Sequence, residues 1–418
     1  MQQRDDTPLR IALTSYRSKP HSGGQGVYVR NLSRELVALG HSVEVFSGQP
    51  YPDLDAGVGL TKVPGLNLYD DADPFRRPAR DEFHSATDVL EYLTMCTAGF
   101  PEPRTFSRRV VPLLHRRRAE FDVVHDNQTL GPAFLRLPPG LPLVGTIHHP
   151  ISVDRALDLA AAPTWQKRVS LRRWYGFVGM QARVARRLDL LVSPSQNSVD
   201  DAIRDFGVAP DRFRVVPVGV DVEHFRPRGE RVPGRIVTMC SADVPLKGLS
   251  VLLHAMTRLP AATLTVVSKP EPGGRTEKLV AELGLGHRVT FVSGLTDDAL
   301  ADLLASAEVA CVPSLYEGFS LPAVEAMASG TPLVASDAGA LPEVVGRDGR
   351  CGTLVPAADP VALAGALADL LASPERRAAM GVAARERAAT RFSWAACARA
   401  TADVYREAIA RTSSSGDR

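Results

Sequence analysis

Cysteine is scarce in this 418-residue chain and is placed for neither of its structural uses. Cys96, Cys240, Cys311, Cys351 and Cys397 are scattered, odd in number and never form a C-x-x-C pair. That spacing offers no metal site and no disulfide framework, and it reads as small core residues in a reducing compartment. Long apolar runs are also missing: none approaches the roughly 18–20 residues needed to span a bilayer. The opening MQQRDDTPLR has mixed charge and no apolar stretch, so a secretory leader is not expected. A cytoplasmic location follows as the expectation. Charge of one sign is lacking too. A net charge of +2 gives no overall basic signature, and no nucleic-acid partner is expected.

What the chain does have is apolar residues, 44% of the total, arranged in short continuous runs. Runs at 9–16, 42–47, 121–125, 142–149, 188–193 and 213–220 are followed by others at 235–241, 263–269, 289–294, 308–314, 332–337 and 352–355. They do not alternate with polar residues, which suits strands buried on both faces of a parallel sheet. Amphipathic helical patterns lie between them. Val29, Leu32, Leu36 and Leu39 recur at spacings of three and four, and Gly40 stops the pattern. Such alternation predicts α/β doubly wound units. It breaks at 221–234, where VEHFRPRGERVPG carries proline, glycine and charge without an apolar run. The reading is two Rossmann-like domains, 1–222 and 223–393, then a helical segment over 394–418 with TSSSGDR as a frayed tail. Ligands of such sheets bind beyond the carboxyl ends of the strands, so the cleft between the halves is the expected site.

The segment 314–345, SLYEGFSLPAVEAMASGTPLVASDAGALPEVV, carries most of the chemistry. A buried strand ends at Ser314, and a loop presents Glu317 and Gly318. Ser320 is then the expected N-cap of a helix with Pro322 in its first turn, ended by Gly330. Glu325 is too far inside that helix to be the glutamate of a capping box. The helix N-terminus would offer unpaired N–H groups and a partial positive charge to a diphosphate. The two glutamates could then bind hydroxyls on either side of it.

Glu317 and Glu325 form an E-x7-E pair, and EGFSLPAVEAMASGTPLVAS resembles glycosyltransferase family 4 over nearly the whole chain. The resemblance implies a GT-B fold, with two Rossmann-like domains facing a central cleft and a C-terminal helix crossing back to the N-terminal domain. It implies a retaining, metal-independent transferase that moves a hexose-type sugar from a nucleotide diphosphate sugar to an acceptor. No tightly bound cofactor and no metal are implied. On the same resemblance Glu317 contacts the transferred sugar and Glu325 the donor ribose. The backbone of Phe319, Ser320 and Leu321 lines the donor, and Lys247 meets its diphosphate. The family usually carries an arginine six residues before this lysine, where the present chain has Ser241; Lys269 is a candidate substitute.

In the N-terminal half, HSGGQG lies between the first strand and its helix, where glycines let backbone N–H groups approach an anion. The resemblance puts Gly24 against the donor phosphate; Gly23, its neighbour, is an acceptor-side candidate. GTIHHP places His148 and His149 at a strand end, and the T-x-H pattern favours His148 as the catalytic histidine. Asp126 and Asn127, after FDVVH, are further acceptor-side candidates. D-x-D strings that could hold a metal occur at 53–55 and 71–73, remote from these motifs.

Two segments are strongly basic. Residues 102–118 hold six arginines against one acid, and 165–187 interleave basic residues with Trp174, Tyr175 and Phe177. They read as solvated helix faces or as contacts to an anionic membrane surface or a phosphorylated acceptor. The acceptor itself, whether small molecule, glycan or lipid-linked, is not encoded in any motif. One alternative is a non-catalytic sugar-nucleotide-binding protein of the same fold, motivated by Ser241. Another is a sugar phosphorylase, which would need a lysine for pyridoxal phosphate near the C-terminus, yet Lys278 is the last lysine.

Overall fold

The computed structural model describes residues 7–19, 24–70 and 72–416. The chain divides into two compact units. One holds the chain up to Pro194, Ser198–Val216 and the segment from Cys397 onward; the other holds Ser195–Asn197 and Pro217–Ala396.

The first unit is built on a seven-stranded sheet: β1 (Arg10–Ser15), β2 (Ser42–Ser47), β3 (Gly59–Lys62), β4 (Val123–Asn127), β5 (Leu143–Thr146), β6 (Leu190–Ser193) and β7 (Phe213–Val215). Their spatial order is β3-β2-β1-β4-β5-β6-β7, and every pairing is parallel. β4 (VVHDN) and β6 (LLVS) are buried at every position, as strands covered by helices on both faces are. β3 was not expected. Its sequence GLTK has one apolar residue and is largely exposed, so only pairing with β2 marks it as a strand.

The second unit carries six parallel strands: β8 (Val232–Met239), β9 (Thr263–Val267), β10 (Val289–Val292), β11 (Ala307–Val312), β12 (Leu333–Ser336) and β13 (Thr353–Val355). Their order is β10-β9-β8-β11-β12-β13. Its core packs Ile236, Leu264, Val309 and Val334 of the sheet against Leu252, Leu253, Leu363 and Leu367 of the helices.

In both sheets the chain winds outward from a central strand and then crosses to the other side. The crossing falls between β1 and β4 in the first unit and between β8 and β11 in the second. Loops leaving adjacent strands there diverge, and the gap beyond their carboxyl ends is where such sheets bind ligands.

The last helix corrects an expectation. It runs from Trp394 to Gly416 rather than fraying after residue 411. The hydroxyls of Thr412, Ser413 and Ser414 donate to the carbonyls of Ala408, Ile409 and Ala410, four residues back, so the polar tail carries on as helix. Within the first unit this helix buries Tyr405 completely, and the tyrosine hydroxyl lies 2.7 Å from His125 Nδ1.

Candidate active site

The crossing point of the second unit assembles the donor-side candidates. After β8 the chain forms a short turn at Pro245–Lys247, and Gly248 takes a left-handed conformation (φ +65°). A Cβ on Gly248 would meet the Pro313 carbonyl oxygen at 1.9 Å, so only glycine lets this turn lie on the segment leaving β11. The Leu315 N–H donates to the Leu246 carbonyl at 2.7 Å and fixes the contact. Two segments seventy residues apart are thereby latched together. Lys247 Nζ lies 2.9 Å from Glu317 Oε1, and Ser314 Oγ donates to the same oxygen at 2.7 Å. Glu317 is buried, 8% exposed, so its charge depends on those two donors.

Ser320 stands at the N-cap of the helix Leu321–Ala328, as its sequence predicts, but it does not cap. Its backbone is left-handed, φ +89° and ψ +79°, and its buried Oγ has no hydrogen-bond partner. A serine held in that region costs on the order of 1–3 kcal/mol, and such strain concentrates at binding sites. Phe319 packs edge-on against Phe392, ring centres 5.7 Å apart, and anchors the turn. The N–H groups of Phe319, Ser320 and Leu321 meet no protein acceptor among the described residues. They leave a helix terminus open to an anion.

Glu325, half-buried on the same helix, makes no side-chain hydrogen bond or ion pair among the described residues. Burial, and secondarily the charge of Asp297, push its carboxyl up to about 7. Ser241 and Lys269 are both exposed, and the two loops meet where Ala242 N–H donates to Ser268 Oγ at 3.0 Å. Lys269 therefore stands one residue from a direct contact with the Ser241 loop.

The crossing point of the first unit gathers a different set. Gly23 lies outside the described residues, as does Asp71 of the second D-x-D string. Gly24 is exposed and opens the helix Gly24–Ala38. The glycine that the packing demands is Gly26, whose Cβ would meet the Lys19 carbonyl oxygen at 1.9 Å. Asp126 and Asn127 belong to β4 itself rather than to the loop after it. Asp126 is buried with both oxygens engaged, by Thr14 Oγ1 at 3.2 Å and Leu130 N–H at 2.6 Å. Burial raises its carboxyl to about 6. It holds the 126–130 loop.

Asn127 is fully buried and touches the catalytic candidate: His148 Nε2 lies 2.8 Å from its Oδ1. The parallel register that sets Asn127 beside Thr146 brings the two together. Tyr28 packs edge-on against the imidazole, centres 4.6 Å apart. Desolvation, reinforced by His149, lowers His148 to about 3, so the ring is neutral. His149, also half-buried, sits 3.4 Å from Asp154.

Gln128 is a contributor that sequence reasoning missed. It sits at φ +56°, accepts from His148 N–H at 2.8 Å and donates to the His149 carbonyl at 3.1 Å. Leu130 beside it is also left-handed at φ +47°. Among the described residues no group of three His, Cys, Asp or Glu could hold a metal ion, and Asp55 is paired with Arg30. No helix among them is long and apolar enough to cross a membrane.

Two family models match in tandem: Glycosyltransferase Family 4 over residues 22–224 and Glycosyl transferases group 1 over residues 221–387. The chain is 58% identical over 408 residues to the MMP alpha-(1->4)-mannosyltransferase of Mycolicibacterium hassiacum, covering 96% of this chain and 99% of the relative. It is 32% identical to D-inositol 3-phosphate glycosyltransferase 2 of Catenulispora acidiphila, covering 97% and 96%. Among solved structures, the sucrose-phosphate synthase of Thermosynechococcus elongatus superposes with a TM-score of 0.72 at 26% identity, covering 96% of this chain and all of that one. Anabaena HepE, solved with UDP and glucose, superposes at 0.66 with 19% identity over 95% and 99%, a likeness of fold. Each unit has the parallel α/β sheet of a GT-B enzyme, and the chain belongs to glycosyltransferase family 4, whose members transfer sugars from nucleotide-activated donors.

Proposed function

We propose that the chain transfers a mannosyl residue from a nucleoside diphosphate sugar to a hydroxyl of a saccharide acceptor, forming an α linkage with retention and without a metal ion. The observation that carries the donor side is the Lys247–Glu317 pair, 2.9 Å apart, beside the open N-terminus at Ser320. It offers fixed positive charge for a departing diphosphate next to a buried carboxylate for sugar hydroxyls. The M. hassiacum relative, at 58% identity, supports mannose and the α-(1→4) linkage.

In this reading the bond from the anomeric carbon to the phosphate oxygen breaks as the acceptor oxygen bonds to that carbon on the same face. The acceptor proton passes to the departing phosphate. Lys247 and the N–H groups of Phe319, Ser320 and Leu321 neutralise the leaving group, the part a metal ion plays in other transferases. Glu325, without a protein partner, accepts from the donor ribose. His148, kept neutral by burial and oriented by Asn127, donates or accepts a hydrogen bond near the reacting sugar without adding charge.

The test is turnover of GDP-, UDP-, ADP- and dTDP-linked mannose and glucose on short α-mannosides, with EDTA and with Mg²⁺, the product linkage read by NMR. Mannosyl transfer undiminished by EDTA with an α anomeric signal is the expected result. Donor binding without turnover on any acceptor favours the non-catalytic reading that Ser241 motivates. Activity restored only by a divalent cation overturns the metal-free part.

A further inference from the structure

The two arginine-rich segments meet around one groove of the first unit, of about 600 Å³. Its walls are carbon: Phe100, Leu135, Phe177 and Met180 line it, with Phe100 and Phe177 rings 5.3 Å apart. Arg104, Arg173, Arg183 and Arg187 also line it, and no acidic residue does among the described residues.

These arginines differ from the others in the unit. Arg109 is paired with Asp88 and Glu91, and Arg117 with Glu44 and Glu120. None of the four at the groove has a carboxylate partner among the described residues. Arg173 Nε donates to the Thr97 carbonyl and Arg183 Nε to the Gly179 carbonyl at 3.2 Å, which leaves their terminal nitrogens open. Arg183 and Arg187 are four residues apart on the helix Gly176–Ala185 and its C-terminal end, where like charges repel unless an anion sits between them.

We propose that this groove binds a single-chain amphiphile with an acidic head, an alkyl phosphate or fatty carboxylate, its chain along the aromatic wall and its head on the arginines. The volume is that of a small-molecule site, roughly 300–1,000 Å³. A small inorganic anion would have no use for the carbon walls, and a neutral glycan none for four cations. A recess suits one sequestered chain, whereas docking on a bilayer needs only an apolar face. Met180, flexible and polarisable, accommodates a chain without fixed shape.

The experiment is calorimetric titration of the full-length chain with n-alkyl phosphates of increasing length, each below its micellar concentration. Affinity should rise roughly fourfold per added methylene and then level off when the groove is full. Inorganic phosphate and a neutral alkyl maltoside should bind far more weakly. Arg183→Ala with Arg187→Ala should weaken the alkyl phosphate by roughly tenfold or more with melting temperature unchanged. Met180→Trp, which fills the groove, should abolish the dependence on chain length. Saturation that never appears, or affinity indifferent to both variants, overturns the proposal. So does binding to anionic vesicles without binding to monomers, which would make the face a membrane contact. Concentration-dependent dimerisation lost in the arginine variant would instead assign the groove to a second copy. None of these readouts depends on sugar transfer.

Discussion

Gly339 lies directly on the backbone of Glu317: a Cβ there would stand 2.4 Å from its carbonyl oxygen and 2.7 Å from its nitrogen. The next residue, Ala340, donates its N–H to that same carbonyl at 2.9 Å. The GALPEVV turn is therefore the bed on which the buried glutamate rests. Gly339→Ala adds a left-handed conformational cost (φ +53°) to the collision. Its expected outcome is a lowered melting temperature together with loss of transfer. Gly349→Ala, with open space around a left-handed glycine, should show only the modest conformational cost and full activity. Thermal melts and turnover of the two variants side by side make the comparison.

Lys247 and Glu317 should not behave alike when removed. Lys247→Ala leaves Glu317 with Ser314 as its remaining side-chain donor, a buried carboxylate short of its compensating charge. Loss of both stability and turnover is expected, the latter on the order of 10²–10³ as for other lost transition-state donors. Glu317→Gln keeps the shape and removes the charge, so stability should hold while turnover falls. Equal losses of stability in the two would contradict the assigned dependence.

Much of this was legible in the sequence, and the parts that were not share a cause. The doubly wound pattern of two parallel sheets follows from runs and spacings along the chain. Which residues touch does not. Asn127 meets His148 because β4 and β5 pair with Asn127 beside Thr146, and Lys247 meets Glu317 because β8 and β11 are neighbours. Backbone conformation was hidden as well. Nothing in the side chains of Gln128 and Leu130 announces a left-handed residue, and Ser320 has the right type for a cap but the wrong backbone for one. β3 escaped because an exposed four-residue edge has no apolar run to betray it.

His125 and His148 are both lowered to about 3, chiefly by burial. In the unfolded chain they titrate near 6.5. Between those values the unfolded chain binds more protons than the folded one, so stability falls as pH drops below about 6.5. Chemical denaturation at pH 5 and pH 7 should show the loss, smaller in His125→Phe. Histidine NMR signals of these two rings should stay those of neutral imidazole at pH 5. A pH–rate profile controlled by a group titrating near 6.5 that vanishes in His148→Gln would show His148 accessible to protons and undo the neutral assignment.

Ser320→Ala removes a hydroxyl that caps nothing. An N-cap serine usually contributes about 1 kcal/mol, but here the melting temperature should not fall. Ser320→Gly should raise it, since glycine adopts φ +89° without the steric cost a serine bears. If the buried Oγ serves the donor diphosphate, both variants weaken donor binding while leaving the fold intact. Calorimetry of donor nucleotide against the two variants separates that role from a purely structural one. A clear drop in melting temperature for Ser320→Ala would mean the hydroxyl does cap the helix.

Glu325 gives the sharpest opposition between stability and function. Its carboxyl is raised from near 4.5 to about 7, so between those values the folded chain holds a proton that the unfolded chain has released. The folded state therefore loses stability as pH rises through that window, and the whole cost is present at pH 8. Glu325→Gln avoids it. The variant should be more stable than the parent at pH 8 by up to about 3 kcal/mol, and the difference should vanish near pH 4. Donor binding should change in the opposite sense, because a ribose hydroxyl would lose its charged acceptor. Binding in the parent should release a proton near pH 7, as hydroxyl donors pull the carboxyl back toward its ordinary range, and calorimetry in buffers of different ionisation enthalpy counts it. A Glu325→Gln variant that binds donor as tightly as the parent would remove this glutamate from the site, whatever its effect on stability.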